Sequence, residues 1–479
     1  MVAGPTFGAM IEPGWISLLP PLIAIVLAIW TRQVYLSLAA GVWLGWTILE
    51  GWNPLTGAGR AIDETIAVLG DPGNTRVILF ALFIGALIAT IEASGGVKGF
   101  VQWLEHRRWV QGPRGAQVLA YVTGIVIFIE SNITVLVSGS VARPLFDRYR
   151  TSREKLAYII DSTSAAVCIL IPLNAWGAYI LGILGELGVT DPLGTFVRSI
   201  PLNFYALAAV VLAGLTILFG IDLGPMKAAE RRTAEGKLLW DDASPLLDPE
   251  VLAPETGAGP GHPLDMIIPI VVMILMMPVG LYITGDGDPR AGSGSTAVLW
   301  AVLTALVTAW VMILAKRRST VDELTRVGLK GAGGLINMAT VLWLALALAA
   351  VTSALGAGPY VAQVTAGVLP PVVFLPFIFV VAAFVAFSTG TSWGTFAIML
   401  PIAVPAAMAL GWPVAPFVAA SLSGGIFGDH ASPISDTTII SSMAAATDHI
   451  DHVRTQLPYA LLAGGAAVIG FAMVGLTIG

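Results

Sequence analysis

The feature that most constrains this chain is a series of apolar segments, each long enough to cross the hydrocarbon core of a bilayer as a helix. Hydrophobic residues make up 56% of the chain and charged residues only 11%, whereas a soluble domain is about one quarter charged. We therefore predict an all-α polytopic membrane protein. The predicted crossings cover residues 15–31, 33–50, 76–95, 156–185, 200–220, 265–284, 295–315, 333–356, 412–446 and 457–477, the fourth and ninth of which contain polar interruptions.

Two further apolar stretches, 116–142 and 371–410, are each divided by a short polar sequence. If both turn back as re-entrant hairpins, all but four of the 24 lysines and arginines lie on one side of the membrane. Cytoplasmic loops are enriched in basic residues, so the charge distribution favours the two hairpins. This topology places Arg148 and Arg317 in the cytoplasm, and Gly285 and both termini outside. The four exceptions are Arg60, Arg76, Arg198 and Arg290.

The predicted topology contains an internal repeat. Residues 1–220 and 265–479 each provide three crossings, one hairpin and two more crossings, and the two halves enter the membrane from opposite sides. Residues 221–264 contain several prolines and charges of both signs, and we predict that they form a cytoplasmic linker. Broken helices at corresponding positions of inverted repeats are typical of the binding sites of secondary transporters. We therefore expect broken helices at the midplane to form a binding site.

The polar stretch 424–442 lies between two apolar segments and contains two acids, Asp429 and Asp436. An aspartate at the centre of a membrane helix costs roughly 2.5–3.5 kcal/mol, so the two acids require compensation, most simply by a bound cation or a proton. Pro433 removes a backbone donor and frees carbonyl groups that can act as ligands. The two acids are seven residues apart, which is two helical turns, and we expect them to face one cavity. Ser432 and Thr437 add hydroxyl groups beside them.

The tips of the two predicted hairpins contain hydroxyl and amide side chains at the point where two half-helices meet. Half-helix N-termini favour an anion, whereas hydroxyls and unwound carbonyls suit a hard cation such as sodium. The alternative is that these small residues only allow close helix packing. The tip candidates are Glu130, Ser131, Asn132 and Thr134 in the first hairpin and Ser388, Thr389, Thr391 and Ser392 in the second. The sodium-ligand candidates are Asn132, Thr391, Asp429 and Asp436.

Two further acids belong to the candidate site. Glu130 is the only acid of the first hairpin, and a buried carboxylate must be either protonated or paired with a cation, which suits proton coupling. Asp161 is followed by hydroxyl residues, as Asp436 is in the second half. The alternatives are a water-filled vestibule for Glu130 and a helix end at the membrane edge for Asp161. If one carboxylate binds both ions in turn, sodium and protons exclude each other, as exchange requires.

Aromatic residues and histidines near these stretches allow two interpretations. Asn174, Trp176 and Trp393 can contact an organic substrate or a cation, or they can line a helix interface. His430 is either a pH-responsive group or a hydrogen-bonded packing residue. The run 448–452, Asp-His-Ile-Asp-His, has a spacing that resembles metal ligands. Because it falls in a predicted cytoplasmic loop, we favour a surface or gating role over a metal site.

Three polar stretches carry a specific pattern: Ser-Arg-Glu-Lys-Leu-Ala-Tyr followed by Asp-Ser-Thr in 152–163, Gly-Asp-His and Ser-Pro-Ile-Ser-Asp-Thr-Thr in 428–438, and Thr-Asp-His-Ile-Asp-His-Val-Arg in 447–454. Together they resemble the NhaC-type sodium/proton antiporter family of the ion transporter superfamily. The resemblance implies two inverted repeats with opposed hairpins, a homodimer, and a transport domain that moves past a scaffold. Relatives in that superfamily carry sodium and protons, carboxylates or amino acids.

We therefore expect a secondary active transporter that exchanges sodium for protons by alternating access in the cytoplasmic membrane of a prokaryote. The alternative is a sodium- or proton-coupled transporter of a small organic solute, either a carboxylate or an amino acid. A membrane enzyme is not expected, because the sequence contains no nucleotide-binding glycine loop, metal-binding helix motif or nucleophile elbow. We expect no cofactor and no nucleic-acid partner. The single cysteine, Cys168, excludes an internal disulfide framework.

Overall fold

The structure, a computed structural model, consists of α-helices and short 3-10 turns, with no strand in the residues that it describes. Those residues are 14–31, 33–105, 112–128, 131–172, 174–245, 261–288, 292–357, 359–360, 363 and 370–478. The predicted all-α class is confirmed. The helices bounded within these ranges are α1 Leu19–Thr31, α2 Val34–Leu49, α3 Pro54–Ala67, α4 Pro72–Ala93, α5 Gly96–Glu105, α6 Gly112–Val126, α7 Ser131–Arg148, α8 Arg153–Ser162, α9 Ala165–Cys168, α10 Ala175–Glu186, α11 Pro192–Ser199, α12 Phe204–Phe219, α13 Pro225–Ala234, α14 Leu264–Thr284, α15 Gly294–Ala315, α16 Val321–Gly334, α17 Ile336–Ala354, α18 Pro371–Thr389, α19 Ser392–Ala409, α20 Val414–Ala431, α21 Asp436–Ala445 and α22 His449–Ile478.

Six of these helices are long and apolar enough to cross a membrane, namely α4, α14, α15, α18, α19 and α22. Three bent pairs meet the same criterion together, with bends of 118° between α2 and α3, 46° between α11 and α12, and 45° between α16 and α17. The predicted crossings 156–185 and 412–446 are divided into shorter helices, as their polar interruptions indicate.

The two limbs of the second hairpin, α18 and α19, are each long enough to span a membrane. The re-entry of the hairpins therefore stays a prediction.

The order of the helices is similar in the two halves of the chain. In the first half, the hairpin α6–α7 precedes the broken helix α8–α10, and in the second half the hairpin α18–α19 precedes the broken helix α20–α21. The sequence analysis did not predict α3 and α16, which follow the second helix of each half. The inverted relation of the halves and their boundaries stay predictions.

The two halves pack into one another. α7 and α8 of the first half pack against α21 of the second, and α12 packs against α22. α10 packs against α17 and α19, with Trp176, Tyr179 and Phe396 buried between them. The polar breaks of both halves consequently lie in the protein interior, where backbone groups freed from helices can find partners.

Glycines four residues apart bring α20 into close contact with α18. A Cβ atom at Gly424 would collide with the carbonyl oxygen of Phe379, and one at Gly428 with the carbonyl oxygen of Ala383. Small residues at this spacing let the backbones of membrane helices approach closely. The contact holds the C-terminal end of α20 against the second hairpin.

The outer face of α14 is apolar. Leu264, Ile268, Val271, Leu275 and Val279 are exposed along this helix at intervals of three or four residues. In water such a face would promote aggregation, whereas in a bilayer it contacts lipid chains. Together with the long apolar helices, this face indicates a multi-pass membrane protein.

The predicted linker contains a helix, α13, that charged residues fix to α8. Arg232 and Glu154 form a bidentate ion pair with N–O distances of 2.7 and 2.9 Å, and both side chains are buried. Lys155 contacts Asp222 at 2.7 Å. The linker composition did not indicate this contact, because Glu154 and Arg232 are far apart in the sequence.

Cysteines at Arg148 and Asp288 in a Cys168→Ala background test the predicted topology. We expect an impermeant thiol reagent to label Arg148→Cys only from the cytoplasmic side and Asp288→Cys only from the outside. Gly285 is unsuitable as the outside reporter, because a Cβ atom there would collide with the carbonyl oxygen of Asp288. Labelling of Arg148→Cys from outside would contradict the hairpin in the first half.

Glu154→Gln should lower the melting temperature of the purified protein in detergent. The substitution leaves Arg232 buried without its ionic partner, which costs about 3–5 kcal/mol in comparable sites. The matched control is Arg60→Gln, which breaks the Arg60–Glu64 pair, whose side chains are 42% and 30% exposed. Exposed pairs contribute less than about 1 kcal/mol, so the control should change little. Equal shifts would contradict a stabilising role for α13 docking.

Candidate functional site

The broken helix of the second half is interrupted at Ser432–Ser435. α20 ends at Ala431, and α21 begins at Asp436 with Ser435 as its N-cap, whose Oγ accepts the Thr438 N–H at 3.5 Å. Pro433 within the interruption has no N–H to continue the helix. The helix break that the sequence predicts here is confirmed.

The tip of the second hairpin lies against this break. Gly390 joins the two limbs in a left-handed conformation with φ of 69°, and a Cβ atom there would collide with the carbonyl oxygen of Ile434. Ser432 Oγ donates a hydrogen bond of 2.8 Å to the carbonyl oxygen of Phe387 near the end of α18. The hairpin tip and the helix break therefore form one junction.

The Asp429 carboxylate lies at this junction and is 2% exposed. Ser392 Oγ, on the hairpin, donates to Oδ2 at 2.6 Å, and Ser435 Oγ, in the break, donates to Oδ1 at 2.5 Å. Thr437 Oγ1, on α21, donates to Oδ2 at 3.3 Å. Three segments of the chain thus contribute hydroxyl groups to one carboxylate. We call Asp429, Ser392, Ser435 and Thr437 the Asp429 pocket.

The chemistry of the Asp429 pocket suits a hard cation. Its ligands are all oxygen atoms, which sodium, calcium and magnesium prefer. Within the described part of the chain, no lysine or arginine forms an ion pair with Asp429. A buried carboxylate that lacks an ionic partner is costly, and hydroxyl donors offset only part of that cost. A bound cation or proton would supply the rest.

The other predicted residues of the second half have different surroundings. Asp436, predicted to share a cavity with Asp429, is exposed at the first turn of α21 and lies beyond the helix break. Thr391 caps α19 by accepting the Gly394 N–H at 3.5 Å. Thr389 bonds within its own helix, to the carbonyl oxygen of Val385, and Ser388 is half-buried.

The first half repeats the meeting of a hairpin tip with a helix break. Asn174 caps α10 by accepting the Gly177 N–H at 3.0 Å. Its amide nitrogen donates to the carbonyl oxygen of Phe128 in the first hairpin tip at 3.0 Å and to that of Cys168 in the break at 2.8 Å. Asn174 therefore joins the tip to the broken helix, a structural role that leaves no donor for a substrate.

The first tip is described only in part. Ser131 and Thr134 are buried, and Thr134 Oγ1 donates a hydrogen bond to the carbonyl oxygen of Ile127. Glu130 and the side chain of Asn132 lie outside the described residues. The predictions for those two residues therefore stay predictions.

Asp161 is fully buried and connects the two halves. Its Oδ2 accepts hydrogen bonds from Gln456 Nε2 at 2.6 Å and from Thr438 Oγ1 at 3.4 Å. Thr438 Oγ1 also lies 3.4 Å from the main-chain oxygen of Asp429. Asp161 is thus separate from the Asp429 pocket, but a single threonine contacts both.

Sequence reasoning missed several residues of this region, chiefly Ser435, Gln456 and His452. His452 is fully buried in α22, so placing 448–452 in a surface loop was wrong for this residue. The available signal in the sequence was a histidine and a glutamine four residues apart, just before the apolar run 457–477.

His430 is buried as well, and its Nδ1 lies 3.1 Å from Tyr205 Oη, which agrees with the packing alternative.

Trp176 and Trp393 contact each other. Their ring centroids are 4.3 Å apart, and Tyr179 Oη donates to the carbonyl oxygen of Trp393 at 2.8 Å. Trp393 directly follows Ser392, so the aromatic contact fixes the hairpin tip to α10 of the other half. The interface alternative accounts for both tryptophans in this structure.

Comparison with known proteins identifies the family of this chain. Residues 167–476, more than half of the chain, match the sequence profile of the Na+/H+ antiporter family. The chain belongs to that family. The matched region includes α10 and α21, the helices that follow the two breaks, and the whole Asp429 pocket. The NhaC-type resemblance seen in the sequence is thereby confirmed.

Individual proteins that are similar to this chain extend the comparison. An uncharacterised protein of Haemophilus influenzae is 35% identical over 96% of this chain and 91% of its own length. The malate-2H(+)/Na(+)-lactate antiporter of Bacillus subtilis is 34% identical over 109 residues, 23% of each chain. The crystal structure of the YdaH transporter of Alcanivorax borkumensis shares the fold, with a TM-score of 0.60 and 16% identity over 95% of this chain and 98% of that one. The named relatives are transporters, and the family to which this chain belongs is an antiporter family.

Asn174→Asp should destabilise the antiporter in detergent by about 1–3 kcal/mol, which a lower melting temperature would report. The aspartate can still cap α10, but it places a carboxylate against the carbonyl oxygens of Phe128 and Cys168, where the amide donated. The matched control is Asn53→Asp, because Asn53 caps α3 by accepting from Leu55 and Thr56 at an exposed position. An unchanged melting temperature for Asn174→Asp would contradict its role in joining the tip to the break.

Proposed function

We propose that this protein exchanges sodium for protons by alternating access, and that sodium binds in the Asp429 pocket. The observation that carries the proposal is the Asp429 carboxylate, which is buried and surrounded by hydroxyls from a hairpin tip, a helix break and the next helix. Membership of the Na+/H+ antiporter family supports the same ions. The proposal includes the cytoplasmic membrane of a prokaryote as its location and a homodimer as its assembly.

The pocket supplies a physical basis for exchange rather than co-transport. A buried carboxylate is stable when it is either protonated or paired with a cation. One carboxylate cannot satisfy both at once, so sodium and a proton compete for Asp429. Each transport cycle then carries sodium in one direction and returns with a proton in the other. Raising the pH should therefore increase the apparent sodium affinity until Asp429 is fully ionised.

A second candidate function is coupled transport of a small organic solute. Local similarity to the malate-2H(+)/Na(+)-lactate antiporter favours it, because the ions named for that protein accompany organic acids. In this alternative the Asp429 pocket still binds the coupling ion. A dependence of proton flux on an added carboxylate or amino acid would favour this candidate over simple exchange.

Asp429→Asn should abolish sodium-driven proton flux in proteoliposomes that contain no organic solute. The amide keeps the size of the side chain but removes the charge that binds the cation, so the protein should still fold and melt as the wild type does. Wild-type flux in this variant would remove Asp429 from the mechanism. Absence of flux in the wild type itself, with flux restored by an organic solute, would support the second candidate.

Ser392→Ala should weaken apparent sodium affinity about tenfold while transport continues. It removes a hydroxyl oxygen that the pocket offers to sodium as a ligand, and a loss of about 1.4 kcal/mol in binding free energy corresponds to a tenfold weaker affinity. The matched control is Ser421→Ala on α20, whose Oγ donates only to the Phe417 carbonyl oxygen within its own helix. An equal effect of both substitutions on sodium affinity would contradict the assignment of Ser392 to the pocket.

A further inference from the structure

A second group of polar side chains lies at the start of α22, separate from the Asp429 pocket. Ser442 Oγ, near the end of α21, lies 3.0 Å from His449 Nδ1 and 2.9 Å from His452 Nδ1. Gln456 connects His452 to Asp161. We call Ser442, His449, His452, Gln456 and Asp161 the Ser442 cluster. Neither the sodium pocket nor the family comparison gives these histidines a function.

The hydrogen-bond partners of Gln456 determine which nitrogen of His452 carries a proton. Gln456 Nε2 faces two acceptors, Asp161 Oδ2 at 2.6 Å and the carbonyl oxygen of His430 at 2.8 Å. The amide oxygen therefore faces His452 Nε2 at 2.9 Å. Because that oxygen can only accept, His452 Nε2 must carry hydrogen.

His449 carries its hydrogen on the same nitrogen as His452 does. Its Nε2 lies 2.6 Å from the carbonyl oxygen of Pro433 in the helix break, so it also carries hydrogen. If both histidines are neutral, each Nδ1 is then an acceptor without hydrogen. Both of these acceptors face the Ser442 hydroxyl, which also lies 2.8 Å from the carbonyl oxygen of Thr438.

Counting hydrogens shows that the neutral cluster is two protons short of satisfying every contact of Ser442. The Ser442 hydroxyl has one hydrogen for three acceptors, so one of the three contacts is a hydrogen bond. A proton added to either histidine converts its Nδ1 to a donor toward Ser442 Oγ, which frees the hydroxyl hydrogen for another acceptor. Two contacts are then satisfied, and a second added proton satisfies all three. Buried polar groups are rarely left unpaired, so the geometry favours uptake of a proton.

Asp161 provides the opposite charge. Its carboxylate is fully buried, and His452 Nε2 lies 3.9 Å from Oδ2. Asp161 Oδ1 has no hydrogen-bond partner among the described residues. An imidazolium beside this carboxylate offsets the cost of burying both groups. Charged and titratable groups on the surrounding elements include Asp147 on α7, Arg153, Glu154, Lys155 and Tyr158 on α8, Tyr205 on α12, Arg232 on α13, Asp429 and His430 on α20, Asp436 on α21, Asp448 before α22, and Asp451, Arg454 and Tyr459 on α22.

We propose that the Ser442 cluster is a proton-binding site, distinct from Asp429, that makes transport pH-dependent. The bound proton holds α21, α22 and the helix break together, because His449 reaches Pro433 in the break while His449 and His452 both bond to Ser442. Loss of the proton at higher pH leaves contacts around Ser442 unsatisfied and frees the break to move. Transport should therefore accelerate as the cluster loses its proton. His449 is half-buried, which gives the cluster a route to solvent.

The inference rests on the proposed sodium transport, and sodium-for-sodium exchange separates the two. We would follow radioactive sodium exchange in proteoliposomes at saturating sodium, with equal pH on both sides, between pH 5.5 and 9. No net proton movement is needed, so competition at Asp429 does not set the profile. We expect the wild-type rate to rise with pH. Absence of exchange at every pH would contradict the proposed function, whereas exchange with a flat profile would overturn only the proton site.

Three substitutions test the cluster itself. Ser442→Ala removes the acceptor of the protonated histidines, and Asp161→Asn removes the opposite charge, so both should move the midpoint of the profile to lower pH by about one unit or more. His452→Gln should flatten the profile. The control is His262→Gln, at a histidine outside the cluster, which should leave the midpoint unchanged. A lower rate with an unmoved midpoint in all three cluster variants would mean a purely structural role and overturn the proposal.

Discussion

The interaction on which this structure depends is the set of hydrogen bonds around the Asp429 carboxylate. A carboxylate buried without a basic partner is tolerated only where donors converge on it, and here they come from Ser392, Ser435 and Thr437. Each of these hydroxyls belongs to a different segment. The carboxylate therefore fixes the relative positions of a hairpin tip, a helix break and the helix that follows.

Close backbone packing makes this convergence possible. Gly424 and Gly428 allow α20 to approach the backbone of α18, and Gly390 allows the hairpin to turn directly against Ile434. Because α20 and the hairpin limb are in contact along their length, a shift of the tip changes the donor distances at Asp429. The same packing that stabilises the fold thus couples the geometry of the pocket to the position of the hairpin, as the proposed alternating access requires.

α21 connects the two polar centres of the molecule. Its first turn contributes Thr437 to the Asp429 pocket, and its last turn contributes Ser442 to the cluster formed with α22. Thr438, between them, contacts both Asp161 and the main chain at Asp429. A change in protonation at one end of this short helix can therefore reach the Asp429 pocket at the other through contiguous contacts, without a large rearrangement of the scaffold.

The sequence by itself determined the all-α membrane class, the two hairpin segments, the helix break at Pro433 and the choice of Asp429 as a candidate residue, because apolar length, proline and charge within an apolar run act locally along the chain. Only the tertiary structure decided which residues complete the sites. It placed Ser435 against Asp429, left Asp436 exposed at the first turn of α21, and assigned Asn174 to a structural cap. It also buried His452 beside Asp161. These outcomes depend on contacts between residues distant in sequence, such as the pairing of Asp161 with Gln456, and no local pattern encodes which distant donor reaches a given carboxylate.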